Sequence, residues 1–118
     1  MTLNGVLSTV VDVKSSADEF FKAIVGNALR IPGKGDVDTE SIHWVKRIIT
    51  VKFNREGILQ AFKTLRGTIT VTPKEEGDGS HVMWTVEYEK LYEEIEDPQY
   101  LVDVAHKNFT ELDDDLLK

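Results

Sequence analysis

Cysteine is absent from the 118 residues, so neither a disulfide nor a thiolate metal site can form, and a reducing cytosol is permitted. The start, MTLNGVLSTVVDVKSS, lacks a basic n-region and a long apolar stretch, and no apolar run nears the roughly 20 residues of a membrane span. A soluble, cytoplasmic protein with no membrane association is expected. Positive charge is short as well: 14 Lys and Arg stand against 21 Asp and Glu, and the resulting net charge of −7 repels phosphate backbones. Nucleic acid is therefore not an expected partner. Histidine is scarce. His43, His81 and His106 share no spacing suited to a metal, or to a nucleophile and its base, and no metal or cofactor is expected. The stretch Gly33-Lys34-Gly35-Asp36 has neither the full Walker A spacing nor GxGxxG, so it reads as a loop rather than a phosphate cradle.

What is present fits one domain over 1–118, long enough to bury roughly two thirds of its unfolded surface without staples. Its centre is the stretch Arg66 to Leu91, RGTITVTPKEEGDGSHVMWTVEYEKL, which alternates on both arms. Ile69 and Val71 point opposite to Thr68, Thr70 and Thr72, while Val82, Trp84, Val86 and Tyr88 point opposite to His81, Met83, Thr85, Glu87 and Glu89. Pro73 and Gly77-Asp78-Gly79 supply turn chemistry, so the two arms form an antiparallel hairpin with one apolar face that needs a cover.

Upstream, Leu3 to Val13 alternates and is rich in β-branched residues, which predicts a first strand. Ser16 with Glu19 forms a capping box opening a helix that buries Phe20, Phe21, Ile24 and Val25 and stops at Gly26-Asn27, with a further short turn over Ala28 to Ile31. Ile49, Val51 and Phe53 share a strand face. Ile58 to Leu65 also fits helical spacing but is read as strand, being short and bounded by turn signals. At the C-terminal end, Asp97 as N-cap and Pro98 at the first helical position open a long helix. Leu101, Ala105, Phe109, Leu112 and Leu116 form its apolar stripe, flanked by Val102 and Val104. Asn108 falls within the stripe, either facing a ligand or water inside or lying at an exposed edge, and Asp113 to Asp115 read as solvated acids. Trp44, Trp84 and Tyr88 read first as core.

VTPKEEGDGSHVMWTVEYEKL, followed by the Asp-Pro that opens a helix ending in LDDDLLK, closely resembles plant major latex protein-like members of the Bet v 1 superfamily. The first strand, the Ser-Ala-Asp-Glu-Phe-Phe helix and the following Ile-Pro-Gly fit the same family. The resemblance implies an α+β helix-grip fold, in which a curved antiparallel sheet grips a long C-terminal helix and an apolar cavity between them binds hydrophobic small molecules. Members of the family it resembles are longer, and the shortfall falls between Pro32 and Lys46, where about two strands are missing and the glycine-rich loop is missing or reduced to Gly33-Lys34-Gly35. That leaves room for at most one short strand, at Ser41 to Val45, and withdraws support from any activity resting on the loop, including ribonuclease activity.

Together these readings point to non-catalytic binding of a hydrophobic metabolite, by a carrier or sensor linked to defence or stress. The expected ligand-binding residues are Phe62, Ile69, Val71, Trp84, Val86, Tyr88, Ala105, Asn108, Phe109 and Leu112, with Tyr88 or Asn108 orienting the ligand. Glu87, Glu89, Glu93, Glu94 and Glu96 form an open acidic run, which offers no desolvated carboxylate for acid and base work. An enzyme acting on a bound metabolite is the weakest reading. The rival is a protein-binding or self-associating module, with a homodimer formed through a sheet edge at Ile48, Thr50 and Lys52 exposed by the missing strands.

Overall fold

In the computed structural model, residues 3–26, 37–53, 61–75 and 77–117 are described. The predicted turn at Ala28 to Ile31, the Gly33 to Asp36 loop, and Ile58 and Leu59 lie outside them. Five strands, β1 (Asn4–Val13), β2 (Val37–His43), β3 (Ile48–Phe53), β4 (Phe62–Pro73) and β5 (Ser80–Lys90), form one antiparallel sheet in the order β1-β5-β4-β3-β2. Among the described residues two helices accompany it, α1 (Ala17–Gly26) and α2 (Gln99–Leu116). This is the helix-grip architecture expected from the resemblance, in its shortened form.

The period-2 patterns decide the faces. In β4 and β5, Leu65, Ile69, Val71, Val82, Trp84, Val86 and Tyr88 are buried on the inner face, and β3 adds Ile49, Val51 and Phe53. The hairpin loop between β4 and β5 uses Gly77 at φ 80° and Gly79 at φ 110°, conformations that an L side chain rarely adopts, and Lys74 N–H donates to Gly79 O at 3.2 Å to close it. Across the outer face, Ser8, Thr85, Thr68, Thr50 and Ser41 pair in one row, one small hydroxyl residue per strand.

Helix α1 begins where the capping box places it. Ser16 Oγ accepts from the Glu19 N–H at 3.3 Å, and Ala17, Phe20, Phe21 and Ile24 are buried, with Val25 half-buried. Helix α2 runs antiparallel to β5: Asp97, just before it, meets Lys90 at 2.7 Å, while Asp113 in its last turns reaches Ser15, which in turn accepts from Ser80 Oγ at 2.9 Å. Its 18 residues extend about 27 Å, enough to cover the inner face along most of that strand.

Several expectations are corrected. Asp97 does not cap α2; Pro98 occupies the N-cap with no side-chain cap bond, because the Asp97 carboxylate is engaged by Lys90. Trp44 is not core: it lies with Val45 in the turn between β2 and β3, 57% exposed, with its ring edge-on to Phe21 at 5.4 Å. The short strand expected at Ser41 to Val45 is β2, which ends at His43 and begins at Val37. The part of Ile58 to Leu65 that is described, from Phe62, belongs to β4 itself, with a register shift between Phe62 and Thr64. Finally, β3 is not an edge. Thr50 pairs with Ser41 on one side and Thr68 on the other, so the sheet ends at β2 and at β1.

Candidate functional site

The inner sheet face and α2 meet through aromatic rings. Trp84 packs edge-on against Phe109 of α2 at 6.4 Å and against Phe53 of β3 at 6.4 Å, and Phe109 meets Phe20 of α1 at 6.2 Å. The Trp84 indole N–H donates to Leu101 O at 3.2 Å, so the ring is tied to the helix as well as packed under it. Space for that ring comes from Gly67 on β4. A Cβ there would run into the indole, so glycine at this position is what lets Trp84 lie flat across the neighbouring strand. Gly5 on β1 does the same for Tyr88, whose hydroxyl end lies over it.

At one end of this interior, Tyr88 packs edge-on against Phe62 at 5.9 Å and hydrogen-bonds Asp97. Burial pushes the Tyr88 hydroxyl's pKa up, and the bond to Asp97 and the charge of that carboxylate add to the rise. Asp97 moves the other way. The hydrogen bond from Lys90, then that from Tyr88, hold its carboxyl below the ordinary range against some desolvation. At the opposite end, Asp113 Oδ1 accepts from Ser15 Oγ at 2.6 Å and Ser15 N–H at 3.0 Å, and Oδ2 accepts from Lys14 N–H at 2.9 Å. Burial works to raise this carboxyl's pKa, but the hydrogen bonds from Ser15 and Lys14, aided by the Lys14 charge, bring it below the ordinary carboxylate range. Asp113 is therefore buried and bonded, not solvated as its run of three acids implies.

Of the ten residues expected to line the site, Phe62, Ile69, Val71, Trp84, Val86, Tyr88, Ala105, Phe109 and Leu112 are buried between sheet and helix, and Asn108 is half-buried at the margin. Leu116 and Val104 lie at the exposed border of the helix stripe, at 36% and 39%. Ile69, Trp84 and Val86 have no accessible surface, so no water-sized space borders them. An open groove does reach Tyr88, but it lies toward the outer face, bounded by Val6, Thr64, Arg66 and Glu87. The residues missed are Phe20, Phe53 and Leu101. The signal for Phe53 was its period-2 placement with Ile49 and Val51, whereas Phe20 reaches the site only because α1 folds against α2.

His43, His81 and His106 are all exposed and lie on three different elements or their ends; His81 Nδ1 meets Asp12 Oδ1 at 2.5 Å on the outer face. Among the described residues, no group of three or more His, Cys, Asp or Glu is arranged to hold a metal, and no helix is long and apolar enough to cross a membrane.

A curved antiparallel sheet closed by its own C-terminal helix over an apolar interior defines a helix-grip protein. The profile of the pathogenesis-related protein Bet v 1 family matches residues 33–118, and the chain belongs to that family. It is 34% identical to MLP-like protein 423 of Arabidopsis thaliana, covering 100% of this chain and 97% of that protein. That alignment extends over 153 positions against 118 residues here, so the relative carries additional residues that this chain lacks. The solution structure of an Arabidopsis thaliana member of the major latex protein family superposes with a TM-score of 0.75 at 30% identity, covering 98% of this chain and 95% of that one. A norcoclaurine synthase from Thalictrum flavum superposes at 0.72 but is 14% identical over 100% of this chain and 99% of its own, a likeness of fold alone.

Proposed function

We propose that this chain is a non-catalytic cytoplasmic carrier or sensor of a hydrophobic small molecule, in the defence or stress setting that the major latex protein resemblance implies. The observation that carries the reading is an interior that is apolar from end to end, with its polar groups gathered at the two termini of α2. Among the described residues, the buried polar or charged side chains are Ser15, Ser80 and Asp113, all at one end, and Tyr88 with Asp97 marks the other. A ligand here replaces ring contacts such as Trp84 on Phe109, exchanging one apolar neighbour for another. Its affinity then comes from its own desolvation, at about 25 cal/mol per Å² of apolar surface. The Tyr88 hydroxyl, at one end of the interior, orients a polar group on the ligand by exchanging its bond to Asp97.

Binding rather than turnover is supported by the state of the only buried acid among the described residues. Asp113 has both carboxylate oxygens occupied by Lys14 and Ser15, and its lowered pKa suits an anchor rather than a general acid. The test is fluorescence titration with an apolar probe on the Trp44→Phe variant, in which Trp84 is the sole tryptophan and is excited selectively. Saturable binding at micromolar level, about 8 kcal/mol, with a change in Trp84 emission is expected. No saturable binding across steroids, flavonoids and fatty acids would overturn the reading.

A further inference from the structure

We propose that β1 is a self-pairing edge, through which two copies of this chain join their sheets antiparallel about a two-fold axis at Ser8. The strand order leaves two edges, and they differ. β2 has a register shift between Thr39 and Ser41 and carries Glu40, held by Arg66 at 2.8 Å, and an irregular strand with a charged pair at its side is blunted against pairing. β1 has ten residues in continuous register with β5, and its sequence NGVLSTVVDV holds no proline, no lysine and one charge, Asp12. Its exposed side chains include Val6 at 64% and Val10 at 52%.

The direction of its backbone groups selects which residues bond across the edge, and the side chains then select the register. Leu3 O accepts from Lys90 N–H at 2.9 Å, so by the alternation of an antiparallel ladder the odd-numbered residues of β1 bond toward β5. The N–H and C=O groups of Val6, Ser8 and Val10 then face the open edge. Antiparallel pairing centred on Ser8 sets Ser8 opposite Ser8, Val6 opposite Val10 and Asn4 opposite Asp12 of the second copy. Every one of these is a hydrogen-bonding pair of the ladder, and none sets like charges together. Placing the centre between two residues turns the wrong backbone groups to the partner; centring on Leu7 or Thr9 keeps the backbone bonds but sets Val10 against Asn4 or Val6 against Asp12, and centring on Val10 sets Asp12 against Ser8 and Val6 against the strand's end, away from its apolar match. The interface is isologous, and on the outer face it sets one Val6–Val10 pair on each side of the central Ser8 pair. The two sheets become one of ten strands.

Because the contact is an edge and little more, the dimer forms at micromolar or higher concentration rather than as an obligate unit. Sedimentation equilibrium combined with amide hydrogen exchange over a concentration series tests it. The expected result is a monomer–dimer equilibrium in which the N–H groups of Val6, Ser8 and Val10 gain protection with concentration, while those of Leu7, Thr9 and Val11 are protected throughout. Ser8→Pro and, independently, Val10→Lys should each weaken dimerisation at least about tenfold, the second without removing any backbone donor. The chain has no cysteine of its own, so Ser8→Cys gives a clean probe that should form a disulfide-linked dimer under mild oxidation. A monomer persisting to millimolar concentration would sink the proposal. So would a dimer whose new protection falls on β2 residues, or one left intact by Val10→Lys.

Discussion

Asp113 accepts the Ser15 hydroxyl at 2.6 Å across a sequence separation of 98 residues, and so fastens the last turns of α2 to the junction of β1 and α1. Ser80 extends the link to β5 by donating to Ser15 O. Three elements from both ends and the middle of the chain are thereby held at one point, and α2 is set in place along the inner face.

The first prediction follows from that junction. Asp113→Ala leaves the buried N–H groups of Lys14 and Ser15 without their acceptor and should cost about 1–3 kcal/mol, read as a lower urea midpoint at unchanged slope. The sign of the pH dependence is set by the lowered folded pKa. The stabilisation is complete above the unfolded carboxylate value of about 4 and is lost as pH falls through the lower folded value. Asp113→Asn should therefore flatten the acid limb of the stability curve, and an acid limb identical to wild type would show that Asp113 is not the titrating anchor.

Gly67 is expected to tolerate no side chain. Gly67→Ala drives a methyl group into the Trp84 ring, which has no accessible surface and no room to retreat, and overpacking of this kind costs about 1–3 kcal/mol. Thermal unfolding should drop accordingly, with Trp84 emission moving to the red as the indole loses its seat. An unchanged midpoint would mean that the ring shifts freely and that the interior has slack.

Phe109 touches both Trp84 and Phe20, so Phe109→Ala should cost roughly 3–5 kcal/mol if the interior is closed packing in the unliganded protein. A loss below about 1 kcal/mol would instead place the ring at the wall of an open cavity, where truncation creates little new void.

Much of the fold is written in local pattern. The period of two in β4 and β5 marks Ile69, Val71, Val82, Trp84, Val86 and Tyr88 as one face, and a strand's side chains alternate wherever the strand is placed. Gly77 and Gly79 announce the hairpin because positive φ is a property of the single residue. The α2 stripe from Leu101 to Leu112 is equally local, and with the hairpin it carried nine of the ten expected site residues into the interior.

Other features depend on partners that no local window contains. Asp113 looks like its neighbours Asp114 and Asp115, and only the arrival of Lys14 and Ser15 makes it a buried anchor. Asp97 has the right residue type and position for an N-cap, but Lys90 and Tyr88 on β5 compete for its carboxylate and win. Trp44 has the size of a core residue, yet it falls in a turn where one side of the ring meets Phe21 and the rest meets water. Strand order is the largest of these. Whether β3 or β1 is an edge is a property of the assembled sheet, since backbone N–H and C=O groups are satisfied by whichever strand lies alongside, and alternation within a strand is the same in either place.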